Sequence, residues 1–406
     1  MHVGVLGGGL QGCCAALALA ARGADITIFD RNEQLLSRAA VANEGKIHLG
    51  YMYAGDPTLA TARTMIAGAF AFAPFFERHL DKPMQSFAVS QPASYVVHRD
   101  SQHGVEEVGP YLETVHRLVV DYGQSRCKQY FGRTLPPAVR RWPAAEIEAE
   151  FDPAVALAVF DSPEVAINPV ELAAALREAM AAHPKIEVRC GHLVTRAERD
   201  TDFVHMVSDG PDGPLRERYD HVVNALWEGR LALNETAGLH SERPVVHRLK
   251  YGVSFRFPQG RRAPPSATFI SGPFGEVVSY ADRLTYLTWY SECMRAISKL
   301  TAPPDWQTHP DEPLRSQISA GTLRVLAAIM PALRDLDANS LAELSVKGGA
   351  IVAWGKTDIY DPQSELHRRY EIGVTTAGRF HSVDPGKLTM APYFAEMCAA
   401  RIAPAD

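Results

Sequence analysis

Gly7-Gly8-Gly9-Leu10-Gln11-Gly12 closes an apolar run, His2 to Leu6, and opens an Ala/Leu-rich stretch that reaches Ala21. Strand, glycine turn and helix in that order make the pyrophosphate cradle of a dinucleotide-binding unit. Gly7 supplies the tight turn, Gly9 removes a side chain where backbone must approach phosphate, and Gly12 lets the helix close on the sheet. The helix then aims its free N–H groups and positive dipole end at the anion. A second apolar strand, Asp25 to Phe29, ends at Asp30. A carboxylate there suits paired ribose hydroxyls and repels a 2′-phosphate. The glycine spacing alone is a weak signal; with strand, helix, second strand and acid around it, the signal is strong.

Composition bounds the rest. A chain of 406 residues, 46% of them hydrophobic, buries a large core and predicts two domains. The net charge of -6 offers no basic field for nucleic acid or an anionic membrane. Six cysteines (Cys13, Cys14, Cys127, Cys190, Cys293, Cys398) form no C-x-x-C pair and no zinc spacing. That usage predicts a reduced, cytoplasmic protein without structural disulfides or metal. No signal-peptide pattern precedes the first strand. The Ala/Phe-rich stretch Met65 to Phe76 is too short to span a membrane and contains Pro74.

After Asp30 the chain departs from a nicotinamide-type domain. Val41 to Tyr51 is an extended, glycine-punctuated stretch that runs back towards the nucleotide, as if to cover a larger cofactor. Helical patterns follow at about Pro57 to Leu80, Pro110 to Tyr122 and Asn168 to Ala182, the last with Asn168 as N-cap and Pro169 in the first turn. The strand Ile186 to Cys190 and a β-meander lead to Val222-Val223-Asn224-Ala225. Alternating strands occupy Pro244 to Tyr290, and helices are expected over Glu312 to Met330 and Ala391 to Ile402. Rossmann-like pieces therefore stand at the start, middle and end with antiparallel pieces between them. The expected fold is α/β plus α+β, with a nucleotide domain from 1–80, 160–244 and 345–406 and a substrate domain from 81–159 and 245–344.

This order resembles the D-amino-acid oxidase-like family of FAD-dependent oxidoreductases, which includes glycine and sarcosine oxidases and L-2-hydroxyglutarate dehydrogenase. The likeness rests on Val5 to Gly12 with Asp30, on Asn43 to Tyr51, on Val222 to Ala225, and on the C-terminal run Gly378 to Thr389. Ile47-His48-Leu49-Gly50-Tyr51 looks most like the hydroxyglutarate branch. The resemblance implies FAD as redox cofactor and oxidation by hydride transfer to flavin N5, with oxygen or another acceptor reoxidising it. It implies cofactor contacts at Gly7, Gly9, Leu10, Gln11, Gly12, Asp30, Arg31 and Arg38, and along Asn43, Glu44, Gly45, Lys46 and Ile47. Further contacts are implied at Ala225, Trp227, Ser382, Val383, Asp384, Gly386, Lys387, Leu388 and Thr389. Lys387 reads either as a lysine near the flavin edge that becomes anionic on reduction or as a solvent-facing lysine after a turn.

Four residues are candidates for the chemistry. His48, between apolar neighbours, reads as a base for a substrate hydroxyl or ammonium, as a covalent flavin tether, or as a buried histidine bonded to backbone. Strand alternation puts Arg248 and Lys250 on one face, as an anion clamp or a solvated face, and His247, Leu249 and Tyr251 on the other. Tyr251, Tyr280, Trp289 and Tyr290 read as pocket walls or as core. The family's carboxylate-binding arginine, often inside a G-x-R-P-like motif, has no counterpart in Gly348 to Lys356. Its absence weighs against a simple D-amino-acid oxidase. The function expected is oxidation of a small-molecule amine or N-substituted amino acid at C–N. The alternatives are an L-2-hydroxy-acid dehydrogenase and a catalytically idle FAD-binding protein.

Overall fold

A computed structural model describes residues 1–404. The first half of the chain supplies strands β1 (His2–Leu6), β2 (Asp25–Asp30), β3 (Ser94–His98), β4 (Ala156–Asp161), β5 (Ile186–Cys190), β6 (Leu193–Arg199), β7 (Val204–Gly210) and β8 (Gly213–Tyr219). The second supplies β9 (His221–Asn224), β10 (Val245–Arg256), β11 (Ala267–Ile270), β12 (Gly275–Ser279), β13 (Leu284–Trp289), β14 (Met294–Ser298), β15 (Ala342–Trp354), β16 (Gly373–Ala377) and β17 (Phe380–Asp384).

β1 ends in the glycine turn, and a 6-stranded sheet forms around it in the order β16-β17-β9-β1-β2-β5. β1 pairs in parallel with β2 and β9, in the register Val5↔Ile28 and Val5↔Val223. The helix Leu10–Ala20 is buried at every position after Leu10, because it lies between this sheet and the C-terminal helix Ala391–Ile402. Such a helix has no solvent face, which explains its all-round apolar, small-residue composition.

The helix after Asn168 starts where the cap predicts: the Asn168 side chain accepts from the Val170 and Glu171 N–H groups. The helix expected from Pro110 starts earlier, at Val105, because the Glu107 carboxylate accepts the Gly104 N–H and caps the earlier turn. Pro110 then sits inside the helix.

The second sheet has 8 strands, in the order β14-β10-β13-β12-β11-β3-β4, with β15 beside β10. It is antiparallel except where β11 runs parallel to β3. One domain assignment changes here. Residues 345–354, expected in the nucleotide domain, belong to β15, which pairs along β10 from Arg256↔Ala342 to Val245↔Trp354. Gly348 and Gly349, which look like a loop in sequence, are strand glycines. A Cβ at Gly348 would come within 2.7 Å of the Tyr251 ring, so the cross-strand aromatic needs the empty position. β6 to β8 form the separate 3-stranded meander.

One hydrophobic core lies under the first sheet and its helices, and a second under the large sheet with the helix Glu312–Ile329. The ends of β1, β9 and β17, the Asn43–Gly50 segment and the face of β10, β12 and β13 border the same cleft.

Candidate active site

The cleft has a volume of about 350 Å³ and runs from the glycine turn to the C-terminal loop. At its closed end Gly7 has φ +98°, the left-handed conformation the turn demands, and a Cβ there would meet the Ala225 carbonyl oxygen at 2.8 Å. A Cβ on Gly12 would stand 1.8 Å from the Gly7 carbonyl oxygen, whereas one on Gly9 would meet nothing within 4 Å. Gly9 therefore opens on the cleft, and Gly12 does not line it but holds helix against turn. The Asp30 carboxylate accepts the Gly8 N–H (2.8 Å) and both Asn32 donors, fixing the turn from below.

Polar atoms without partners collect at this end. The Gln11 amide is buried with neither Oε1 nor Nε2 bonded, Ser37 Oγ is likewise unpartnered, and Arg38 Nε makes no hydrogen bond, its nearest acid being Glu228 at 3.4 Å. Gln11, Ser37 and Arg38 all line the cleft beside Gly9. Buried polar groups are ordinarily bonded, so these fit a pyrophosphate seated at the helix N-terminus. Arg31 and Arg38 line the wall too, each within ion-pair distance of Glu228 and Asp305. Asn43, Ala225 and Trp227 complete the predicted set here. His192, Leu193 and Val194 also reach this end. Sequence reading missed them, because the hairpin after β5 carries no motif.

At the other end the walls are charged. Glu44, Lys46, His48, Lys250, Glu276, Arg369 and Lys387 line it with Tyr53, Tyr286 and Tyr290. Lys46, buried, crosses to the second sheet. Its Nζ lies 2.5 Å from Glu276 Oε2 and also bonds Thr268 Oγ1. Burial disfavours the Lys46 ammonium, but Glu276, Glu164 and Glu44 outweigh it and hold the pKa above the ordinary lysine value. For Glu276 burial likewise opposes the charge, and Lys46 and Lys250 prevail, so its pKa is lowered. At Lys387 the same acids, Glu44 and Glu276, do not prevail. Burial, aided by Arg369, brings it down to about 8. Lys250 keeps a raised pKa: burial works against its charge, while Tyr290, Glu276 and Glu44 favour it, and its Nζ sits 5.1 Å over the Tyr290 ring.

His48 is 2% exposed, its backbone N–H held by Thr389 Oγ1 at 2.9 Å. Neither ring nitrogen has a hydrogen-bond partner; Glu164 lies 3.7 Å from Nδ1 and Glu44 3.8 Å from Nε2. Burial pushes the imidazole pKa below its usual value despite Glu164. His48 is thus not a core histidine tied to backbone carbonyls.

Several expected contacts are corrected. Arg248, fully buried, pairs with Asp358 at 2.5 Å and donates to the Thr357 carbonyl, so the loop carrying Ile359 separates it from the cleft. Tyr251 donates its hydroxyl to the Gln307 carbonyl at 2.6 Å, away from the cleft. Tyr280 donates to the Glu44 carbonyl, and Trp289 packs on Phe269. Gly45 lies against the Ile167 carbonyl, and Ile47 bonds Val165 and Tyr130. Thr389 supports His48 from behind, while Ser382, Val383 and Asp384 are buried behind the loop, Asp384 pairing with Arg230 at 3.0 Å. Gly386, Lys387 and Leu388 do line the cleft.

Arg369 is the important omission. It is 5% exposed; its Nη1 donates to the Gly386 carbonyl (2.7 Å) and the Val352 carbonyl (3.3 Å), and Nε to Leu366. No carboxylate lies within ion-pair distance of it among the described residues. In the sequence it is one of two arginines in Leu366-His367-Arg368-Arg369-Tyr370, with no spacing that singles it out.

A Rossmann-type glycine cradle, joined through one cleft to a charged end under an antiparallel sheet, defines a dinucleotide-dependent oxidoreductase. The chain belongs to the FAD-dependent oxidoreductase (DAO) family, whose model matches residues 2–353. Glycine oxidase from Geobacillus kaustophilus has a similar fold (TM-score 0.67, 16% identity, covering 100% of this chain and 95% of that one). So does FAD-bound L-alpha-glycerophosphate oxidase from Mycoplasma pneumoniae (TM-score 0.65, 16% identity, 100% and 95% covered). At these identities the likeness is one of fold. A FAD-dependent monooxygenase, FPY4, from Fusarium mangiferae is 38% identical over 52 residues, 13% of this chain and 14% of that protein. No described helix is long and apolar enough to cross a membrane.

Proposed function

We propose that the chain oxidises an anionic amine, an amino acid or N-substituted amino acid, at the C–H bond beside nitrogen. The observation that carries this reading is Arg369: a buried guanidinium with no carboxylate partner, opening on the same cleft as His48. A substrate carboxylate would supply the ion-pair partner that no described residue gives this guanidinium, supported by Lys250 or Lys387. Arg369 thereby stands in for the arginine missing from Gly348 to Lys356.

In this reading Gly7, Gly9, Leu10, Gln11, Asp30 and Arg38 hold the nucleotide side of FAD, and Asn43, Glu44, Lys46 and His48 with Gly386 to Leu388 border the flavin. Bound flavin supplies the hydride acceptor, N5. The protein residues orient the substrate, exclude water, and take up its proton at His48. The six cysteines are all free, which supports a reducing compartment such as the cytoplasm.

A 2-hydroxy acid is the second reading, favoured by the unpartnered His48, since an alcohol has more need of a base than an amine does. Anaerobic flavin reduction against N-alkyl amino acids, amines and 2-hydroxy acids tests both. Bleaching by amines or amino acids supports the first, and bleaching by hydroxy acids alone overturns it. Peroxide release during turnover tells oxygen from another acceptor.

A further inference from the structure

Glu164, which belongs to no predicted motif, sits directly behind His48. It is fully buried at 0% exposure. The Leu49 N–H donates to Oε1, and the Tyr95 hydroxyl donates to Oε2. With both oxygens held, the carboxylate has one orientation, and in it Oε2 faces His48 Nδ1 at 3.7 Å. No lysine or arginine lies within ion-pair distance of Glu164 among the described residues. A buried carboxylate without a cation is expensive. The Lys46 ammonium acts on Glu164 only from beyond ion-pair distance, and among the described residues the His48 ring is the group close enough to set a cation against Oε2.

We propose that Glu164 is the positioning residue of His48: it selects the Nδ1–H tautomer, turning the Nε2 lone pair to the cleft, and balances the imidazolium formed when Nε2 takes a substrate proton. The proposal rests on the reading of His48 as the base. In the step, the substrate N–H or O–H bond breaks and its proton passes to Nε2. That bond's electron pair becomes the new C=N or C=O π bond. The C–H bond breaks with its own pair, and the hydride goes to the flavin oxidant. Glu164 touches neither substrate nor cofactor and acts only through the ring.

Other charges face His48 from several elements. Glu44 and Lys46 come from its own segment, Lys387 from the C-terminal loop and Glu276 from β12, and the Tyr53 ring packs edge-on with its centroid at 6.2 Å. Glu44 is the competitor, since a carboxylate near Nε2 favours the opposite tautomer. It lines the open cleft, however, where solvent screens it more than the enclosed Glu164.

The test is ¹⁵N NMR of histidine-labelled holoenzyme, with the pH profile of anaerobic flavin reduction alongside. Glu164→Gln keeps the local bonds, because an amide oxygen accepts the Leu49 N–H and its NH₂ donates to the Tyr95 oxygen. The wild type is expected to show the Nδ1–H tautomer at His48. In Glu164→Gln the His48 titration moves to lower pH, and the limiting rate of flavin reduction falls roughly 10²-fold with KM unchanged. An Nε2–H tautomer in the wild type overturns the proposal, as does a Glu164→Gln enzyme with unaltered profile and rate. If Glu164→Gln fails to fold, the wild-type tautomer alone decides. The tautomer is read without any substrate. A His48→Asn enzyme that reduces flavin at the wild-type rate therefore sinks the base assignment separately.

Discussion

Lys46→Met tests whether the two sheets are bolted together at the site. The Lys46 ammonium and the Glu276 carboxylate lie 2.5 Å apart, one from the segment after the nucleotide strands and the other from β12 of the second sheet. At an effective dielectric of about 20, two unit charges at that separation attract by roughly 6 to 7 kcal/mol. Desolvation of both groups offsets much of this. Removing one partner of such a pair nevertheless costs about 3–5 kcal/mol, because the other charge is left buried alone. Lys46→Met should therefore lose about that much in urea unfolding followed by tryptophan fluorescence, measured on the flavin-loaded protein without substrate. Lys46→Met with Glu276→Gln should recover most of the loss, giving a coupling energy above about 2 kcal/mol. pH gives a second reading. Glu276 has a lowered folded pKa, so its contribution is complete above the unfolded carboxylate value of about 4 and fades as pH falls through the folded one. Wild type should lose stability on that acid limb, and the double variant should lose less. A Lys46→Met loss below about 1 kcal/mol, or single losses that simply add, would refute the reasoning.

Other expectations follow from the geometry. Gly9→Ala, whose Cβ meets open cleft, should leave the apoprotein's Tm unchanged and weaken FAD binding in a flavin-fluorescence titration. Gly12→Ala, whose Cβ falls 1.8 Å from a carbonyl oxygen, should lower the yield of folded protein itself. Arg369→Met should raise KM for an anionic substrate by roughly 10² or more and affect a neutral amine far less, matching the loss of a charge-assisted bond of about 3 kcal/mol; equal effects on both substrates would remove Arg369 from recognition. Lys387, brought down by burial from the ordinary lysine value of 10.5 to about 8, is protonated in the unfolded chain over a window where the folded chain releases its proton. Stability should accordingly rise with pH from about 8 towards 10, and Lys387→Met should flatten that rise.

The nucleotide half was legible because its physics is local. A turn that needs Gly7 in the left-handed region, an open Gly9 and a flush Gly12 are consequences of neighbours a few residues apart, and a single sequence records them. β15 was not legible for the same reason. Gly348 is empty because of the Tyr251 ring on the neighbouring strand and Gly349 faces Ala39 and Ala42 from far upstream, and nothing within their own segment says so. Alternation along β10 predicts Arg248 and Lys250 on one face, yet only Lys250 lines the cleft. The difference lies in Asp358, a loop residue far downstream that claims Arg248.

The charged end of the cleft shows why sequence motifs recover cofactors more readily than substrates. Lys46 and His48 share one segment while Glu164, Glu276 and Arg369 come from three others far along the chain, and each residue's meaning depends on which charges it lacks. Lys46 is an ammonium with a carboxylate, and so in this reading a structural cross-link. Arg369 is a guanidinium without one, and so a site for an anion. Glu164 is a carboxylate with no lysine or arginine in ion-pair distance among the described residues and the His48 ring beside it, and so a place for a cation to form. A lysine, a histidine, two glutamates and an arginine in a sequence carry none of that distinction. It arises from pairing, which burial then enforces, since unpaired charge in a low-dielectric wall is tolerated only where function or a ligand supplies the missing partner. The unpaired members of this set, and not its most basic or most acidic members, are therefore the ones whose replacement should change substrate turnover while leaving the fold in place.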